Sequence, residues 1–96
     1  MRPSEALRNR LEAVRAAIVR SPFENPRVFG SAARAEDDED SDLDLLVEPR
    51  QGASLFDLAG LEHELSSLLG VRVDILTSGS LGPRIAPSIA RDARPL

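Results

Sequence analysis

The chain has no cysteine, tryptophan, tyrosine or lysine among its 96 residues. Without cysteine there is no disulfide, no thiol nucleophile and no thiolate-bound zinc, and a cytoplasmic setting is expected. With aromatics at 3%, the core has to be built from Leu, Val, Ile and Ala, which makes a partner subunit a reasonable source of extra stability. Long apolar runs are also missing: none approaches the ~18 residues of a membrane span. The opening "MRPSEALRNRLEAV" is interrupted by charge where a signal peptide would be apolar, so neither a membrane partner nor export is expected. All twelve basic residues are arginine, and with the many alanines this reads as compositional bias of the source. The net charge of −4 and pI of 4.9 have the wrong sign for tracking a phosphate backbone, so no direct nucleic-acid partner is expected.

This length suits a single domain spanning residues 1–96. Leu7, Leu11, Val14 and Ile18 recur at helical spacing, predicting one amphipathic helix from Ser4 to about Arg20, with Ser4 as cap and Glu5 near its positive end. "SPFENP" breaks it, and Arg27 to Phe29 reads as a short strand entering Gly30. Ser31 to Ala35 suits a tight turn or one helical turn, Glu36 to Asp40 reads as a solvated charge run, and Leu43 to Val47 as a strand stopped by Pro49 and Gly52. Ser54 with Asp57 marks a helix start, and the leucines from Leu58 to Leu69 form a core stripe ending at Gly70. His63, the single histidine, falls between those leucines and is expected on the surface or against a partner. A third strand, Val71 to Leu76, and a final helix from about Arg84 to Ala93 complete an α/β (α+β) chain: a small mixed sheet flanked by helices.

The chemistry concentrates on one side of the strands. Alternate strand residues share a face, so Asp42 and Asp44 point the same way, with Cα atoms roughly 6.5 to 7 Å apart. Leu43, Leu45 and Val47 are left to the core. Two such carboxylates repel unless a cation lies between them, and oxygen-only ligands suit Mg²⁺, or Mn²⁺, with room for two ions. Asp74 alternates with Val73 and Ile75 in the same manner, and Arg72 shares its face. If the two strands are neighbours, three carboxylates meet. Gly30 and Ser31 open a turn of small residues before Arg34, which suits the close approach of backbone N–H groups to phosphate. An acidic protein of this kind could hold a nucleoside triphosphate only with metal ions between the two sets of negative charge. Asp38, Asp40 and Asp42 also fit positions 1, 3 and 5 of a calcium loop, but Leu43 stands where glycine is required and Pro49 where a bidentate glutamate belongs, so that reading fails.

Gly30-Ser31, followed by Asp42-Leu43-Asp44 and later by Asp74, resembles the signature of the DNA polymerase beta-like nucleotidyltransferase superfamily, in particular its minimal nucleotidyltransferase (MNT) proteins. The longer run "GSAARAEDDEDSDLDLLV" follows their Gly-Ser-x-Ala-Arg-Gly and Ser-Asp-x-Asp-Leu pattern, except that Ala35 stands where the family has glycine. The resemblance implies the polymerase beta-like fold. It also implies Asp42, Asp44 and Asp74 as metal-binding catalytic acids, Gly30, Ser31 and Arg34 as nucleotide-binding residues, and ATP as substrate with Mg²⁺. MNT proteins are commonly antitoxins of HEPN RNase toxins and transfer AMP to a toxin tyrosine, which implies a hetero-oligomer here, with a homodimer open for the isolated chain. Having no tyrosine, the chain would have to modify a partner. Neutralisation by binding alone, and a small-molecule transferase completed by a helical subunit, stand as alternatives. If position 35 requires positive φ, alanine strains the turn by roughly 1 to 2 kcal/mol.

Overall fold

A computed structural model of the chain describes residues 1–80 and 86–96. In chain order the elements are α1 (Pro3–Asn9), α2 (Leu11–Arg20), β1 (Phe23–Phe29), α3 (Gly30–Ala33), β2 (Leu43–Pro49), α4 (Leu55–Leu69), β3 (Val73–Thr77), a 3₁₀ turn (Ser78–Ser80), α5 (Ala86–Asp92) and β4 (Arg94–Pro95). The strands form one mixed sheet in the order β3-β2-β1-β4, with β2 parallel to β3 and the other pairs antiparallel.

Alternation along β2 separates core from site. Leu43, Leu45 and Val47 are fully buried and pack with Val73 and Ile75 of β3 against Val14, Ala17 and Ile18 of α2 and Leu61 and Leu65 of α4. Phe23 of β1 is buried in the same cluster, an aromatic ring in a core expected to be aliphatic, and each completely buried leucine contributes on the order of 1.5 to 3 kcal/mol. Asp44 and Asp74 are turned to the opposite face by the same two-residue period.

The expected single N-terminal helix is two helices, broken at Arg10 (φ −125°, ψ 26°), whose N–H is shared between the carbonyls of Ala6 and Leu7. The apolar spacing runs unbroken through this joint, which is why periodicity does not reveal it. Pro3 occupies the first helical position, so the cap is Arg2 rather than Ser4, and Glu5 reaches back to the Arg2 side chain at 2.9 Å. α4 begins and ends as expected: Ser54 accepts from the Asp57 N–H at 3.1 Å, and Gly70 takes the left-handed conformation at φ +70°.

β1 is longer than its predicted stretch because a bulge carries it through Asn25 (φ +52°) and Pro26. β2 runs on to Pro49, and β3 begins at Val73 and ends at Thr77. β4 was not anticipated; two residues are too few to leave a pattern. Arg84 and Ile85 of the expected last helix lie outside the described residues. His63 is exposed, as expected.

Candidate active site

The parallel register of β2 and β3 sets Asp44 directly beside Asp74, on strands about 4.8 Å apart. Asp42 stands just before β2, at the same end of the sheet. The three acids are close enough to disturb one another. Burial, then the charges of Asp74 and Asp42, push the Asp44 carboxyl up to about 6, while Arg34 opposes the rise. Asp74 is likewise raised, by burial and by the charge of Asp42. Glu62 adds to that rise, and Arg72 opposes it. Arg72 is itself mostly exposed and reaches Asp42 only at 3.8 Å.

Gly30 follows β1 and opens the single turn α3 at φ +73°. A Cβ built there would lie 2.5 Å from Oδ2 of Asp44, so the site requires glycine for space as well as for conformation. Ser31 follows within the same turn. Ala35 closes it at φ +58°. This is the left-handed conformation for which glycine is suited, and alanine carries the strain anticipated from the sequence.

Arg34 is held from two sides: its Nε donates to Glu36 at 3.2 Å and its Nη1 to Asp92 of α5 at 2.6 Å. Neither the Asp92 contact, across 58 residues of sequence, nor the place of Asp37 could be read from spacing. Asp37, assigned to a solvated run, is instead buried at 5% exposure and accepts from the Ser4 N–H at 2.8 Å and the Ser4 Oγ at 2.9 Å. Burial alone would raise its pKa, but the Ser4 bonds outweigh this and hold it below the usual carboxylate range. Ser4, rather than capping its own helix, ties α1 to the loop between the glycine-serine turn and the acids. Asp38 and Asp40, by contrast, are exposed as expected.

The three acids fit a hard divalent cation in kind. Their donors are all oxygen, their charges repel, and the Gly30 backbone keeps the space beside Asp44 clear. Among the described residues no three acidic, histidine or cysteine side chains already close into a metal cage.

β1 thus runs into Gly30-Ser31 beside the strand of Asp42-Leu43-Asp44, and a third acid, Asp74, stands on the parallel neighbour. The model of the nucleotidyltransferase domain family matches residues 19–96, and the chain belongs to that family. It is 47% identical over 66 residues to a "Putative protein adenylyltransferase" of Methanocaldococcus jannaschii, covering 69% of this chain and 71% of the relative. It is 45% identical over 65 residues to "Protein adenylyltransferase MntA" of Thermococcus cleftensis, covering 68% and 66% respectively. Among solved structures, one described as a "putative minimal nucleotidyltransferase" superposes with a TM-score of 0.86 at 49% identity, over 97% of this chain and 95% of the other. The fold is also that of a toxin–antitoxin structure with AMP-PNP, at TM-score 0.72 and 17% identity, over 97% of this chain and 71% of that one. Among the described residues no helix is long and apolar enough to cross a membrane.

Proposed function

We propose that the chain is a metal-dependent protein adenylyltransferase that transfers AMP from ATP to a tyrosine of a HEPN toxin and so acts as its antitoxin. The observation that carries the reading is the register pairing of Asp44 with Asp74, with Asp42 at the same strand end and Gly30 pressed against Asp44. The relatives named as protein adenylyltransferases support a protein acceptor. A neighbour of the same fold, described as a tri-AMPylated Shewanella oneidensis HEPN toxin in complex with an MNT antitoxin, supports the partner class.

In this reading Asp42, Asp44 and Asp74 hold Mg²⁺, which when bound would offset the acids' charge and that developing on the phosphates. The backbone at Gly30 and Ser31 receives the triphosphate, since a side chain at position 30 would fill the approach. Arg34 sets a positive charge at the edge of the same site, where Asp44 feels it. Asp74, beside Asp44 on the parallel strand, is suited to take the proton of the attacking tyrosine hydroxyl. The oxygen of that hydroxyl bonds to the α-phosphorus as the bond to pyrophosphate breaks.

The test is to combine the chain with the HEPN protein encoded beside it, ATP and Mg²⁺, and to locate AMP on the partner by peptide mass spectrometry. Modification of a tyrosine, lost in Asp42→Asn/Asp44→Asn, is expected. The strained Ala35 favours a second reading, neutralisation by binding with catalysis weakened. In that case the double variant neutralises the toxin as well as the native chain does.

A further inference from the structure

Arg34 is an exposed-edge arginine with a long, rotatable side chain, yet it is fixed in place. Glu36 holds Nε and Asp92 holds Nη1, so the guanidinium is braced at both ends, and Nη2 has no partner among the described residues. The two braces differ in origin. Glu36 is two residues away on the same loop, whereas Asp92 comes from the last turn of α5 and is the more buried of the two carboxylates, at 23% against 66% side-chain exposure. Arg34 is the C-cap of α3, the single turn that Gly30 opens against Asp44, so the braced arginine is anchored next to the acid site with its side chain 44% exposed.

We propose that Asp92 is a positioning residue for nucleotide binding: it holds Arg34 so that the Nη2 end of the guanidinium addresses the phosphates. This rests on the nucleotidyltransferase reading of the site. An unbraced arginine would have to be ordered when the nucleotide arrives, and fixing one such side chain beforehand typically improves affinity by about 2- to 10-fold. Geometry, rather than the charge of Asp92, is the effective property. A carboxylate beside a phosphate-binding cation weakens its field, so any benefit has to come from orientation.

The test measures binding of Mg²⁺–AMP-PNP by calorimetry, with KM and kcat from transfer assays, for the native chain, Asp92→Ala, Asp92→Asn, Arg34→Ala and the Arg34→Ala/Asp92→Ala double variant. Asp92→Ala should weaken binding by about 3- to 10-fold and raise KM with kcat little changed. Asp92→Asn keeps an acceptor oxygen and should recover most of the affinity. The double variant should bind no more weakly than Arg34→Ala alone, which separates positioning from a general packing role of α5. Unchanged or tighter binding by Asp92→Ala would overturn the proposal, as would an equal further loss in the Arg34→Ala background. If the native chain itself fails to bind the nucleotide, the nucleotidyltransferase reading fails before the proposal is reached.

Discussion

The register of β2 and β3 pairs Asp44 with Asp74 across two parallel strands, and burial together with the charge of Asp74 raises the Asp44 carboxyl. The fold is therefore strained where its chemistry lies, and the strain has a pH signature. The native Asp44 carboxyl titrates at about 6 against 3.8 for the free group. Between those values the folded state binds more protons than the unfolded one, so stability falls as pH rises through the window. The loss is at most about 3 kcal/mol, since Asp44 is only half-buried and solvent screens part of it. Asp44→Asn should remove the share of the decline that belongs to Asp44 and leave that of Asp74. Urea unfolding of the metal-free protein is expected to show the variant more stable than the native chain at neutral pH and its transfer activity abolished.

Asp37 runs the other way. Its pKa is depressed, so its contribution is present above the unfolded value near 3.8 and disappears as pH falls through the lower folded value. Asp37→Ala removes both bonds to Ser4 and leaves a part-buried amide without its acceptor, which should cost about 2 to 3 kcal/mol by the same unfolding measurement.

The turn holding Gly30 and Ala35 gives paired expectations. Gly30→Ala forces the Asp44 carboxylate to move from a Cβ 2.5 Å away and adds left-handed strain, so transfer should be lost while the protein still folds. Ala35→Gly relieves strain at φ +58° and should raise stability by about 1 kcal/mol, a Tm gain of roughly 4 to 8 °C in a domain this size.

What the sequence disclosed follows the range of each interaction. The acids, the glycine-serine turn and the capping of α4 are local patterns, and period-two alternation was enough to assign Leu43, Leu45 and Val47 to the core and Asp44 away from it. The strain at Ala35 was legible because alanine stands where the family that the motif resembles has glycine. Asp37, Asp92 and the joint at Arg10 were not legible. Asp37 has the same chemistry as its solvated neighbours, and only the docking of α1 buries it. Asp92 meets Arg34 through tertiary folding, and the break at Arg10 leaves the apolar spacing intact.

Glu62 belongs to the same class of long-range partner. β3 is an edge strand, and its outward N–H groups at Val73 and Ile75 are occupied by Ser66 Oγ at 3.2 Å and Glu62 Oε2 at 2.8 Å, both from α4. These two bonds guard that edge against strand addition. Glu62→Ala should expose it, lower stability by about 1 to 3 kcal/mol and increase self-association, followed by light scattering against concentration.

Intact-mass measurement of the HEPN partner after incubation with the chain, ATP and Mg²⁺ tests the central claim most directly. The account predicts a gain of whole adenylyl units that requires ATP and disappears with Asp42→Asn/Asp44→Asn. A partner that is neutralised and tightly bound yet unchanged in mass would contradict it.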